Sequence, residues 1–354
     1  MDIKHYYGYD LGTMNQVSAC QATEGKITIN TVRNMFSEID TDVIAIEELE
    51  NTDLDYIVSN EDDVERVFII GEDCFRFSQI FGITPRRPME GGVISSKDID
   101  AIDILTVMAK KLVKTPPKGQ RGYCVYSVPA DTVDADNPPV LYHEQVFSKV
   151  LDSIGYDAKP LNEGMGIIFS ECADTNFSGI GISCGCGLIN VAFSYRGIMS
   201  LAFAIKRGGD WIDKQVSDSI NVPVSRVTRL KESKLDLDNP IISKKKAEKR
   251  ALECLVFFYK DMIEYILKTF CKEFEKSSDA LEIGEDIPII VSGGTSLPNG
   301  FIECFTKVFD ENYRDIFPYN VSDIRRAKDP LAAVATGNLI YALHSKKQKE
   351  KKSK

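Results

Sequence analysis

Three short glycine turns are the places where this backbone could meet an anion. They are Asp10-Leu11-Gly12-Thr13-Met14-Asn15, Gly185-Cys186-Gly187-Leu188-Ile189-Asn190 and Ser292-Gly293-Gly294-Thr295-Ser296. A phosphate chain needs hydrogen-bond donors, and exposed N–H groups in such a turn supply them without long side chains. Glycine also lets the backbone come close. The candidate binding residues are therefore Gly12, Thr13, Met14 and Asn15 in the first turn, Gly185, Cys186 and Gly187 in the second, and Gly293, Gly294 and Thr295 in the third. Asp10 adds a carboxylate at a strand end, where it could hold Mg²⁺ through the ion's water shell. Gly293 and Gly294 leave room for a flat purine or ribose, and a helix N-terminus after them would favour an anion. Each turn alone is also an ordinary loop, and the second holds no Asp, Lys or hydroxyl within it.

These turns must sit on strands and helices. "YYGYDLG", "QVSACQA" and "KITINTV" read as a three-stranded meander over 6–32, with Glu24-Gly25-Lys26 as the second hairpin turn. "RVFIIG" (66–71) and "YCVYSVPA" (123–130) are further strands, and residues 179–195 form a second glycine-marked hairpin. Helical spacing appears at 100–114, 141–156 and, longest, 244–276. There Leu252, Leu255, Val256, Tyr259, Ile263, Ile266 and Phe270 share one face, a stripe that reads as core packing. "IPIIVSGGTSLPNGF" is strand, turn, helix, and a small-residue helix covers 329–343. Strands and helices alternate in both halves, so the class is α/β. "YGYDLGTMNQVSA" also lies over "GISCGCGLINVAF" with an offset of about 173, placing Asp10 on Ser183 and Gly12 on Gly185. Such a repeat implies two related domains with a ligand between them.

Composition narrows the partners. The chain of 354 residues is long enough for two cores, and its 43% hydrophobic and 27% charged content is that of a globular protein. Net charge is −10, yet the last nine residues, "KKQKEKKSK", carry +5, so the rest carries about −15. An acidic body argues against a dedicated or sequence-specific nucleic-acid binder, and the tail reads as disordered and solubilising. No apolar run is long enough for a transmembrane segment. The start "MDIKHYYGYD" lacks signal-peptide character, and the nine scattered cysteines form no CxxC, so reduced thiols in the cytoplasm are expected. Cys184 and Cys186 read as small buried thiols rather than metal ligands.

Taken together and in order, the motifs resemble the actin and sugar-kinase superfamily of ATPases, and within it the MreB-type bacterial actins. "YDLGTMNQVSA" looks like the first phosphate loop, "GISCGCGLINVAF" stands at the second, and "IVSGGTSLPNGF" looks like the adenosine motif. "RRPMEGGVIS" (86–95), "KRGGDWIDKQV" (206–216) and "KDPLAAVATGNL" (328–339) extend the likeness from about residue 6 to 343. The resemblance implies two actin-like domains with duplicated mixed β-sheet cores around a nucleotide cleft, ATP and Mg²⁺ as ligands, and self-assembly into filaments, with membranes reached only through partner proteins or the tail. On this likeness domain I spans 1–122 with helix 329–343 packing back on it. Domain II spans 123–328 and includes a variable subdomain at about 214–285; residues 344–354 are the tail. Asp10 matches the Mg²⁺-facing aspartate. Glu163, in "LNEGMGIIFSE", matches the glutamate that orients the attacking water; without the likeness it is simply an acidic first-turn residue favoured by the helix dipole. Arg229 and Lys231 lie roughly where the family contacts the adenosine, although a solvated helix face is the default reading. Trp211 reads as a packing anchor.

One departure stands out. The family's second loop reads Asp-x-Gly-x-Gly-Thr-Thr followed by an acidic residue, whereas this chain has Ser183, Leu188, Ile189 and Asn190 at those polar positions. The glycines survive and the side-chain oxygens do not. The expectation is a nucleotide-binding, filament-forming protein that is at most a weak ATPase. The competing readings are an active sugar kinase, for which the second-loop Asp is missing, and a chaperone-type ATPase that does not polymerise.

Overall fold

The computed structural model describes residues 5–22, 25–39, 49–61, 64–81, 84–135, 140–239, 243, 245–277 and 283–352. Three strands, β1 (Tyr6–Leu11), β2 (Asn15–Gln21) and β3 (Ile27–Arg33), open the chain as the expected meander. Glu24 of the second hairpin turn lies outside the described residues. Next, β4 (Phe36–Ile39), β5 (Tyr56–Glu61) and β6 (Val64–Ile70) make a small antiparallel sheet in the order β4-β6-β5, and β7 (Met89–Glu90) pairs with β8 (Val93–Ile94). β9 (Gly122–Val128) and β10 (Tyr156–Asn162) then return to the opening meander and complete a five-stranded sheet, β10-β9-β1-β2-β3.

A second five-stranded sheet follows, built from β11 (Gly179–Cys184), β12 (Ile189–Tyr195), β13 (Ile198–Ile205), β14 (Ile287–Ser292) and β15 (Val321–Arg326) in the order β13-β12-β11-β14-β15. Its plan repeats the first. In each sheet a strand is antiparallel to the next in sequence on one side and parallel to a later strand on the other. The registers coincide as well. Asp10 faces Val17 across the first hairpin and Ser183 faces Asn190 across the second, which makes the offset 173 at both positions. Strands β11 and β14 are buried along their whole length, as apolar parallel strands covered by helices on both faces must be.

The helix Lys246–Lys276 lays Leu252, Leu255, Tyr259, Ile263, Ile266 and Phe270 into the core of the second lobe, with Val256 at its edge. Phe270 stacks on Phe317 at 4.8 Å between ring centres. The first lobe's core gathers Tyr9, Tyr126, Phe147 and Tyr156 beneath the helices Ala101–Leu112 and Val140–Ser153.

Two sequence boundaries are corrected. The division at 122/123 would cut the first sheet, because β9 and β10 pair with each other and β9 pairs with β1. Residues 344–352 of the tail expected to be disordered over 344–354 are instead the end of a helix, Ala333–Lys352, with 353 and 354 outside the described residues; that helix starts four residues later than expected, after the bend at Asp329–Ala332. That helix packs on β1 and on the helix Glu163–Glu171.

The helix–helix crossing is unusually close. A Cβ on Gly337 would lie 1.7 Å from the Gly166 carbonyl oxygen. No side chain fits there, and no flexible neighbour can give way. Gly337→Val is expected to cost about 3 kcal/mol or more by forcing the helices apart. Urea denaturation checks this, and an unshifted midpoint would show that the helices separate freely.

Candidate functional site

A cavity of about 620 Å³ opens between the two large sheets, at the carboxyl ends of β1, β11 and β14. All three glycine turns line it. Gly12, Thr13, Met14 and Asn15 form one wall, Gly185, Cys186 and Gly187 the facing wall, and Gly293, Gly294 and Thr295 a third side. Asp10, on β1, and Glu163, at the start of the helix that follows β10, also line it. The residues of the three turns, Asp10 and Glu163 are therefore all on its surface, whereas Arg229 is not.

The first turn is tied from behind. Leu11 N–H donates to Ser127 Oγ at 2.9 Å, and Ser127 Oγ donates to Asp10 Oδ1 at 2.8 Å, which fixes the carboxylate at the strand end. The second turn is closed by Gly185 N–H on the Leu188 carbonyl, 3.0 Å. It docks on the start of the helix Gly209–Ile220, where the N–H groups of Gly209 and Asp210 donate to the carbonyls of Gly185 (3.1 Å) and Cys186 (2.8 Å). That helix start is the Gly-Gly-Asp segment noted in the sequence. The third turn needs glycine at 293. Its φ is +90°, and a Cβ there would sit 2.4 Å from the Cys184 carbonyl oxygen. At Gly294 a Cβ would meet only Leu331, 3.9 Å away, so this peptide offers a bare surface to the cavity.

Glu163 begins the helix Glu163–Glu171, capped by Asn162, whose side chain accepts from Gly164 N–H at 2.9 Å and from Met165 N–H. Burial is the main reason its carboxyl is pushed up to about 8. The nearby Asp10 adds to this, while the side chains of Ser183 and Asn190 pull the other way. Burial also pushes Asp10 up to about 6 against the pull of Ser127. Ser183 and Asn190, the two neutral stand-ins of the second hairpin, thus face the Glu163 carboxyl. Asn190 is held in turn by Ala130 N–H, 2.9 Å on its Oδ1.

Several readings change. Lys231, assigned by default to a solvated face, lines the cavity and pairs with Asp213 at 2.8 Å, its side chain 11% exposed. Burial raises the Asp213 carboxyl and Lys231 opposes it; Thr228 Oγ1 also donates to Asp213, at 2.7 Å. Arg229, two residues earlier, is exposed. Cys184 ends β11 in the core, whereas Cys186 lies in the turn with its sulfur 3.4 Å from Arg87 Nη1, and burial pushes its thiol up to about 12. Ile189, expected at a lost hydroxyl position, points into the core of the second lobe; only Leu188 of that pair lines the cavity. Trp211 packs edge-on against Phe258 at 5.7 Å, as an anchor should.

Other lining residues carry no such sequence signal, among them Glu232, Leu235, Asn299 and Leu331. Glu232 follows Lys231 on the helix Val224–Lys234 and Leu235 caps that helix, so both come to the cavity with Lys231. Asn299 and Leu331 are brought in by tertiary packing alone. Among the described residues no group of three or more His, Cys, Asp or Glu side chains is placed to cage a metal ion, and no helix is long and apolar enough to cross a membrane.

Comparison with known proteins agrees with this architecture. The Volactin family matches residues 5–342. No curated protein sequence matches. Among solved structures, a MamK double helical filament superposes with a TM-score of 0.68 at 16% identity, covering 96% of this chain and 98% of that one. MreB5 of Spiroplasma citri bound to AMPPNP gives 0.64 at 12% identity, with 99% of each chain covered. The ethanolamine utilization protein EutJ from Carboxydothermus hydrogenoformans gives 0.51 at 15% identity, covering 95% of this chain and 89% of that one. These likenesses establish the actin-like fold.

The raised Glu163 carboxyl has a consequence for stability. Between the ordinary carboxylate range and about pH 8, the folded protein holds a proton that the unfolded chain has released. Stability therefore falls as pH rises through that window. Glu163→Gln removes the part of the dependence that Glu163 contributes and leaves that of Asp10. Without nucleotide, the variant should be more stable than the parent by about 2–4 kcal/mol at pH 8.5 and equal to it below pH 4.5. Denaturation midpoints at the two pH values test this; a gap independent of pH would refute it.

Proposed function

This chain belongs to the Volactin family and carries the actin-like fold, and from that premise we propose that it binds ATP with Mg²⁺ between its lobes and assembles into filaments, with slow or absent hydrolysis. One observation carries the reading: three glycine turns from two related sheets converge on one cavity of about 620 Å³. That volume lies within the roughly 300–1,000 Å³ of small-molecule sites, at the strand carboxyl ends where α/β proteins bind their ligands.

The residues present fit the ligand. Thr13 and Met14 on one side and Cys186 and Gly187 on the other would hold the phosphates through their backbone N–H groups. The bare Gly293-Gly294 surface, with Leu331 beside it, suits the nucleoside. Asp10, oriented by Ser127, would face Mg²⁺ through water. The ion would neutralise phosphate charge. Glu163 would orient the attacking water. Lys231, locked to buried Asp213, would put a fixed positive charge on the nucleoside side of the cleft.

Slow turnover follows from the second loop. Ser183 replaces a carboxylate on the cavity surface, and Leu188 replaces a hydroxyl and lies against Gly92 of the opposite lobe. Losing one preorganised polar contact typically costs about 100- to 1,000-fold in rate. Self-assembly is supported by the similar structure described as a MamK double helical filament.

Electron microscopy and sedimentation of the purified protein with ATP and Mg²⁺ test the reading. Filaments that need nucleotide are expected; a monomer with bound ATP would remove the assembly half, and no ATP binding would remove the whole. Ser183→Asp combined with Leu188→Thr should raise steady-state phosphate release at least about tenfold. An unchanged rate would show that this loop does not limit hydrolysis.

A further inference from the structure

The first phosphate loop rests on a buried polar chain that no part of the cavity reaches. Asn34 is fully buried and does not line the cleft. Its Nδ2 donates to the Gly12 carbonyl at 2.9 Å, and its backbone N–H donates to the Met14 carbonyl at 2.8 Å. Its Oδ1 accepts from Gln16 Nε2 at 2.9 Å, and Gln16 Oε1 accepts from the Tyr9 hydroxyl. Tyr9, Gln16 and Asn34 are all shut off from solvent. Burying three polar side chains in a strand core is unfavourable unless each is paired. Here the pairing also fixes which way the Asn34 amide faces, because only its NH₂ end can reach the Gly12 carbonyl while its oxygen takes the Gln16 amide.

The peptide between Gly12 and Thr13 is planar and trans. Its carbonyl and N–H point in opposite directions. With the Gly12 carbonyl drawn back onto Asn34, the Thr13 N–H points the other way, to the side on which the turn lines the cavity.

The second lobe holds the equivalent peptide by different means. Gly185 is the counterpart of Gly12, each lying two residues beyond the paired positions Ser183 and Asp10. The Gly185 carbonyl accepts from Thr295 Oγ1 at 2.9 Å. Thr295, a candidate ligand contact on sequence grounds, therefore commits its hydroxyl to the protein. An amide from the bend between β3 and β4 and a hydroxyl from the third turn make the same bond at the same place in two lobes.

We propose that Asn34 and Thr295 are matched positioning residues, which hold the Gly12 and Gly185 carbonyls back so that the following N–H groups face the nucleotide's phosphates. This rests on the ATP-binding reading above.

The test measures dissociation constants of the full-length protein for ATP with Mg²⁺ and for adenosine, by competition against a fluorescent nucleotide. Asn34→Ala and Thr295→Val are compared with the parent. Thr295→Val keeps the side chain's shape and leaves Gly185 its bond from Gly209 N–H, so it stays informative if Asn34→Ala fails to fold. ATP should bind about tenfold more weakly to each folded variant, the effect of roughly one misdirected hydrogen bond, and adenosine should bind as before. Parallel weakening of ATP and adenosine would mean a general structural role and overturn the proposal, as would unchanged ATP affinity. A parent protein that binds no ATP would instead sink the nucleotide reading, before any variant is made.

Discussion

Both sheets hang on a pair of helices that touch through glycine. The helix Glu163–Glu171 lies against the second sheet, where a Cβ on Gly164 would strike Ala192 and one on Gly181 would strike the Gly164 carbonyl. The helix Ala333–Lys352 lies against the first sheet, with Ala335 and Leu339 backbone atoms hard against Gly8 and with Asn338 Nδ2 donating to the Tyr9 carbonyl at 2.9 Å. The helices then meet at Gly166 and Gly337. A stack this thin fixes how far apart the two sheets can be. It brings their strand ends, and the turns that follow them, to opposite sides of one cavity. It also sets Glu163, the first residue of its helix, between Asp10 and Ser183. Packed interiors deform little, so separating these helices would move the whole site.

The cavity has a second tie, at its rim. Arg87 crosses from the first lobe to Asp210 at 3.0 Å and to the sulfur of Cys186, while Gly92 of the neighbouring hairpin receives the Leu188 side chain. The ion pair is half-exposed, so its net worth is small, about 1 kcal/mol or less. The contact at Leu188 is apolar and buried. Where the related pattern puts a hydroxyl toward the ligand, this chain puts a methyl-rich side chain against the other lobe. The same substitution that weakens the polar site therefore adds contact between the lobes.

Much of this was legible in the sequence, for a physical reason. Glycine turns after apolar strands are local events, and the residue types at 10–15, 185–190 and 292–296 state what the backbone must do there. The 173-residue offset was visible because the duplicated hairpins keep their register. What was hidden depends on contacts distant in sequence. The return of β9 and β10 to the first sheet has no local signal, so the boundary at 122 was misplaced. Lys231 reads as surface on a polar helix, and only burial beside Asp213 reveals its orientation. Gln16 and Asn34 look like surface polar residues until the fold closes over them. Ile189 sits one residue from Leu188, and strand alternation alone sends it to the opposite face.

Burial raises both the Asp10 and the Glu163 carboxyls, and the nearby Asp10 adds to the cost of ionising Glu163. Two further carboxylates, at 183 and 190, would make the empty cleft strongly dependent on a cation. Serine and asparagine relieve that load. Both are neutral, both face Glu163, and Asn190 is itself anchored to the end of β9 by Ala130. The backbone donors that would meet phosphate are untouched by the exchange, because they belong to the peptide chain and are set by Asn34, Thr295 and the start of the Gly209–Ile220 helix. The backbone donors of the turns and the polar side chains at 183 and 190 are thus separable parts of this cleft. The exchanges at 183, 188 and 190 change side chains and leave those backbone donors in place.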